Sequence, residues 1–198
     1  MPTTLWAAPV PNLSFNSLTV SSFTTATKTD LSPAQIVLWP GMYGVGSRLR
    51  IRAYGNMIST TTASSITWGF YMNSTATNNI ATTPAILAET ASTAIVNTSS
   101  VAFPWMMEWE GHFRALTSPL VGATNAQLMG QGKAYVPLTI TTTTQTQIPI
   151  TAALRTVQQT ATGLVTNIPQ TVMVGAAVAV NTGLTSVTCD ELTVELLG

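Results

Sequence analysis

Charge is what this chain of 198 residues has least of: seven Lys and Arg, seven Asp and Glu and a single His leave 7% charged residues and a formal net charge of +0. That balance argues against a nucleic-acid partner, because gripping phosphates requires a clustered positive excess that releases counterions. Acid–base chemistry has little to work with. His112 stands alone in WEGHFRA, Trp109 to Ala115, a strand-like segment with no nucleophile motif, so the chain is expected not to be an enzyme. One His and one Cys cannot build a metal cage, and the carboxylates lack calcium-loop spacing, so no metal or other cofactor is expected. GMYGVGSR resembles a phosphate loop only in its glycines, for it has neither the lysine nor a following helix. The lone Cys189 rules out an internal disulfide framework and reads as a small buried hydrophobe. Long apolar runs are missing too: none approaches the roughly 18 residues of a membrane span. The opening MPTTLWAAPVPNLSF has no basic region and is broken by Pro2, Pro9 and Pro11, unlike a signal peptide. No membrane partner is expected, and synthesis in a cytoplasm is.

What the chain does have is 45% hydrophobic residues together with 36 Thr and 15 Ser. Threonine favours strands and disfavours helix interiors, so the composition predicts an all-β protein, and the length suits one packed domain. Short β-like runs separated by Gly, Pro and Asn turns predict strands at Gln35 to Trp39, Arg48 to Ser59, Ser65 to Met72, Ala85 to Ala91 and Trp105 to Leu116. Further strands are predicted at Ala126 to Val136, Thr139 to Pro149, Thr171 to Val180 and Glu191 to Leu197. The best helical candidate, Thr151 to Gln159, is short and flanked by Thr. Residues 1–24 differ from the rest: rich in Pro, Ser, Thr and Asn, they carry isolated apolar anchors at Leu5, Trp6, Val10, Leu13 and Phe15. That pattern predicts an extended N-terminal arm that docks on a surface, ahead of a single domain over 25–198.

The few charges are arranged in rows. SRLRIRAYGN sets Arg48, Arg50 and Arg52 at the two-residue period of a strand, with Leu49, Ile51 and Ala53 on the other face. Glu108 and Glu110 alternate with Met107 and Trp109, and Glu191, Thr193 and Glu195 with Leu192, Val194 and Leu196. Facing rows of opposite sign on adjacent strands support each other and fix register, since a one-residue slip would turn charges into the core. The arginine row is therefore expected to be a ladder partner of Glu191 and Glu195, with an acidic partner surface as the other possibility. A first long strand lying beside the last implies a Greek-key course, and an antiparallel jelly-roll β-sandwich is its natural closure.

The order of KTDLSPAQIVLWPGMYGVGSRLRIRAYGNMIST, WMMEWEGHFRA, NAQLMGQGKA and TSVTCDELTVELL across Thr25 to Gly198 resembles a family of tailed-bacteriophage virion proteins. The resemblance implies a jelly-roll protein that forms homotrimers and serves as a capsid decoration, minor capsid or minor tail component. The expected partners are then further copies of itself and the major capsid protein, the expected place is the capsid surface of the virion, and the arm is the expected shell contact. The alternative is a minor tail or receptor-binding protein that uses Tyr43, Tyr54, Trp68 and Tyr71 against a host surface. One departure stands out: TVMVGAAVAVNTG, Thr171 to Gly183, lacks the Trp that relatives tend to carry there.

Overall fold

The computed structural model describes residues 3–7, 17–74, 80, 84–97, 102–116, 126–137, 139–140, 149–154 and 166–197. Among them there is no α-helix, only a 3₁₀ turn at Asn181–Gly183. The strands are β1 (Thr3–Ala7), β2 (Leu18–Val20), β3 (Lys28–Asp30), β4 (Ile36–Leu38), β5 (Arg48–Ser59), β6 (Ser64–Ser74) and β7 (Ala85–Glu89). They continue with β8 (Thr93–Asn97), β9 (Phe103–Ala115), β10 (Gln127–Pro137), β11 (Thr139–Ile140), β12 (Pro149–Leu154), β13 (Gln170–Val178) and β14 (Leu184–Leu197).

These strands form a β-sandwich of two sheets. The first has the order β1-β14-β5-β9-β10-β12, with β2 also on β14; the second has the order β11-β8-β6-β13-β3, with β4 on β13 and β7 on β6. Pairing is antiparallel except for the short β8–β11 bridge. The first long strand, β5, lies beside the last, β14, and the second, β6, beside the next to last, β13. This is the Greek-key wrap of a jelly roll, and inside it β9, β10 and β12 continue from β5 as a meander.

Alternation decides what is buried. In β5 and β9, Leu49, Ile51, Ala53, Trp105, Met107 and Trp109 point inward while the residues between them reach the surface. Across the gap, β6 offers Ile66, Trp68, Phe70 and Met72, and β13 offers Val172, Val174, Ala176 and Val178. Trp68 and Trp105 meet with ring centroids 4.7 Å apart, tying the two sheets together at the centre of the core. The Trp105 Nε1–H donates to the Thr188 carbonyl at 3.1 Å, so this large ring is buried with its polar group satisfied.

Several elements differ from the sequence expectation. Thr151–Leu154 lies in a strand, not a helix, because its backbone pairs with β10 from Tyr135 to Gly132. Within the predicted Thr139 to Pro149 strand, only the two ends fall in described residues, in β11 and β12 respectively. The closing strand begins at Leu184, seven residues early. TSVTCD and ELTVELL have opposite parity, Val187 and Cys189 facing inward and then Leu192, Val194 and Leu196. A β-bulge at Asp190 reconciles them, with Cys189 opposite Gly55 and Glu191 opposite Tyr54. Gly55 fits this bulge because a Cβ there would stand 1.9 Å from the Thr188 carbonyl oxygen.

The arm region adds two short strands to the same sandwich. Backbone pairing places Leu5 and Trp6 within β1, which runs antiparallel to β14, and β2 pairs further along the same edge. Val10, Leu13 and Phe15 lie outside the described residues.

Candidate functional site

The outer face of the first sheet collects most of the chain's charge. Register aligns Glu195, Arg50, Glu110 and Gln131 in one row across β14, β5, β9 and β10, and Thr193, Arg52, Glu108 and Lys133 in the next. Arg50 is the hub: its Nε and Nη2 both donate to Glu110 Oε2, at 3.0 and 2.8 Å, and its Nη1 reaches Glu195 at 3.5 Å. Its pKa is raised, chiefly by the Glu110 hydrogen bonds. Arg48 adds a 3.2 Å contact to Glu110, while Glu108 receives Arg52 at 3.2 Å and Lys133 at 3.5 Å.

Sequence reasoning placed the arginine row opposite Glu191 and Glu195. The fold sets it between two glutamate rows, and the shorter contacts go to Glu108 and Glu110 of β9. Glu195 meets Arg50, whereas Glu191 faces Tyr54, whose hydroxyl donates to it and whose pKa rises to about 12 for that reason first. The meander order, with β9 directly beside β5, is a tertiary fact that alternation alone does not contain.

An open groove of about 690 Å³ runs over β9 and β10, lined by Arg48, Glu108, Glu110, His112, Met129 and Lys133. Glycine makes its floor: Gly111 and Gly130 are directly opposite in register, and the Trp109 indole lies beneath both. A Cβ on Gly111 would fall 2.1 Å from that ring, so the two glycines make room for the buried tryptophan. His112 is exposed in this groove. Among the described residues, no three His, Cys, Asp or Glu side chains gather as a metal-binding group. Cys189 is buried and its thiol is pushed up to about 12 by desolvation, which makes it unreactive in the folded state.

A second feature occupies the end of the sandwich between β4 and β5. WPGM, Trp39 to Met42, closes with a Met42 N–H to Trp39 carbonyl bond of 3.2 Å and a φ of 88° at Gly41, as a type II turn with Pro at its second position requires. Gly44 to Ser47 repeats the geometry, with φ of 91° at Gly46. Between these turns Tyr43 plugs the core, stacked on Phe113 at 4.4 Å, and the Gly46 N–H and Ser47 carbonyl bond to the Phe113 backbone. The fastening leaves three apolar side chains in solvent: Trp39 is 55% exposed, Met42 44% and Val45 67%.

The four aromatics suggested for a host-binding surface do not form one. Tyr43, Trp68 and Tyr71 are buried, and Tyr54 alone of the four is exposed. Trp68 and Tyr71 are covered on the two faces of β6, and Tyr43 is buried in the loop between β4 and β5. Trp39 is the exposed tryptophan that sequence reasoning passed over, and its signal was the PG pair that follows it. Of the segment Trp105 to Met107, Trp105 and Met107 join the core and Met106 faces outward.

What these regions define is an antiparallel β-sandwich whose outer-sheet charges largely neutralise one another and which holds three exposed apolar side chains, Trp39, Met42 and Val45, in one hydrogen-bonded loop. No protein-family model matches the chain. No curated protein matches it either. Among solved structures with some likeness is an endo-1,3-beta-glucanase from Streptomyces sioyaensis, 11% identical, covering 81% of this chain and 67% of that one with a TM-score of 0.36; a likeness this slight carries no argument about activity or descent.

Proposed function

We propose that the chain is a virion structural protein of a tailed bacteriophage: a homotrimeric capsid decoration, or minor capsid, protein that binds the outside of the major capsid shell and stabilises it. The observation that carries this reading is the loop at Trp39 to Gly46, where three apolar side chains are held out by two fastened turns. A loop ordered in advance gives up little entropy on docking, and burial of Trp, Met and Val supplies the contact energy. The ladder supports the same reading, for guanidinia already committed to Glu108, Glu110 and Glu195 are poorly suited to grip an acidic partner. The sequence resemblance supplies the setting, the capsid surface, and the trimeric state. Three loops and three arms docking together turn individually weak contacts into avid binding. A balanced charge suits copies that live at high local density on a shell.

The test is immunogold labelling of intact particles followed by electron microscopy, paired with a Trp39→Ala, Met42→Ala variant added to undecorated shells. Label over the head and loss of decoration in the variant are expected. Label confined to the tail would replace the decoration role with the tail or receptor-binding alternative. Full decoration by the variant would move the shell contact from the loop to the arm.

A further inference from the structure

The ladder on the outer face of the first sheet does not neutralise itself everywhere. At one end, Arg114 lies within ion-pair distance of none of the carboxylates among the described residues; its Nη1 contacts only the Met129 sulfur, at 3.1 Å. Exposed His112 and Arg48, the latter sharing Glu110 with Arg50, stand beside it. At the other end, the β14 bulge brings Asp190 and Glu191 to the solvent side together. Both are held by neutral donors, Asn56 to Asp190 at 3.1 Å, and Tyr54 and Thr193 to Glu191. Neither has a cation within ion-pair distance among the described residues. Exposed Tyr54 and Met106, register partners on β5 and β9, add apolar surface at this acidic end.

The two ends cannot compensate each other within one chain. Asn56, which holds Asp190, is in register with Pro104, and Arg114 lies ten residues further along β9. At the rise of an extended strand this is roughly 30 Å, several times the roughly 8 Å over which salt screens charge at physiological strength. Among the described residues, every copy therefore carries, on one sheet face, a cation at one end and a pair of anions at the other that no ion pair matches.

We infer that this face is the surface through which copies of the chain associate, the Arg114 end of one meeting the Asp190 and Glu191 end of the next. The occupant is a second copy because a single chain supplies both complementary halves, and because zero net charge leaves no long-range repulsion between copies. Tyr54 and Met106 supply the apolar part of the contact and the charge pairs its orientation. A contact of one end with the other is heterologous, and it closes into a ring when the rotation per copy is a third of a turn. The inference rests on the homotrimer proposed above and gives that trimer its interface.

Charge exchange followed by sedimentation of the purified full chain tests it. Arg114→Glu and Glu191→Arg, each alone, are expected to weaken association by about tenfold or more, since each sets like charges against each other. The double variant, in which the new Glu meets the new Arg, is expected to regain most of the wild-type association. Arg114 is exposed and outside every ion pair of the ladder, so the Arg114→Glu chain should keep the wild-type circular dichroism spectrum and, at a dilution where both are monomeric, the wild-type melting temperature, which separates lost association from lost fold. Wild type as a trimer with Arg114→Glu equally trimeric would overturn the inference and leave the trimer standing. So would two weakened single variants with no recovery in the double. Wild type sedimenting as a monomer at its highest soluble concentration would remove both the inference and the trimer.

Discussion

The two sheets of the sandwich bury themselves differently. In the first, β5 and β9 alternate strictly, so one face is core and the other is a lattice of Arg, Glu and Lys in contact with solvent. In the second, β6 and β13 are buried almost throughout. Their inner residues fill the main core, while Tyr71 and Met173 on the other side pack with Ile80 into a small second cluster. Glycine lets that cover approach: a Cβ on Gly175 would sit 2.4 Å from Ile80 Cδ1. The charge that remains on this side is used at close quarters. Lys28 pairs with Glu89 at 2.9 Å and lies 4.7 Å from the centre of the Tyr71 ring, while the Tyr71 hydroxyl donates to Glu89 at 3.0 Å. A polar interaction in the first sheet is therefore one of many in a screened row, whereas in the second the partly exposed Glu89 serves the hydroxyl of a buried tyrosine.

That contrast can be broken at its centre or tuned at its edges. The largest effect is expected from Trp105→Ala, which removes the ring joining the sheets at Trp68 and leaves a cavity; it should cost about 3–5 kcal/mol in denaturant unfolding and destabilise both sheets together. Gly130→Ala should cost about 1–3 kcal/mol by overpacking, because the new Cβ meets the Glu110 carbonyl oxygen at 2.3 Å and the Trp109 ring at 2.5 Å. Gly44→Ala, with nothing within 4 Å of its Cβ, is the matched control and should unfold like wild type.

Matched deletions compare the two kinds of charge directly. Glu89→Ala strands the buried Tyr71 hydroxyl and should cost about 1–3 kcal/mol. Glu110→Ala, in a half-exposed row, should cost no more than about 1 kcal/mol, and less at high salt. Equal costs at the two sites would mean that the sheets do not differ in the way their burial suggests.

The smallest effect concerns pH. Asp30, on β3 at the edge of the second sheet, has its pKa raised by burial against the lowering influence of its Ser32 hydrogen bonds. A carboxyl with a raised folded-state pKa binds its proton more tightly in the folded chain than in the unfolded one. Its contribution therefore favours folding in acid and is lost as pH rises from the unfolded value through the folded one. Asp30→Asn should accordingly gain slightly on wild type in melting temperature near neutral pH, and the gap should close below the ordinary carboxylate range. A gap that widens in acid would reverse the sign of the effect.

The legibility of each region follows from the same contrast. β5 was readable residue by residue, from Arg48 to Ser59, because one wet face and one dry face print period two on the sequence. β13 was readable as a strand from its β-branched and small residues, but nothing in QTVMVGAAV said that both its faces are covered. Of the strands missed, β1, β2, β3 and β8 have only three to five residues, and β12, of six, was read mostly as a helical candidate; all owe their conformation to partners already in place. The ladder residues were legible as rows, whereas their pairings were not, since a row of arginines can lie beside either of two rows of glutamates. Trp39 escaped notice because exposure depends on where a turn projects, which the residue type does not record.

By itself, then, the sequence determined the β class of this chain, the faces of its alternating strands and the scarcity of groups for acid–base chemistry, because each follows from local stereochemistry or from composition. The tertiary structure decided which rows of charge meet, which aromatics the core takes in, and which ends of the ladder are left unmatched. Those outcomes depend on strand order and on a one-residue bulge at Asp190, and both are set by contacts between residues distant in the chain, 60 positions apart for Arg50 and Glu110 and 134 for Asn56 and Asp190.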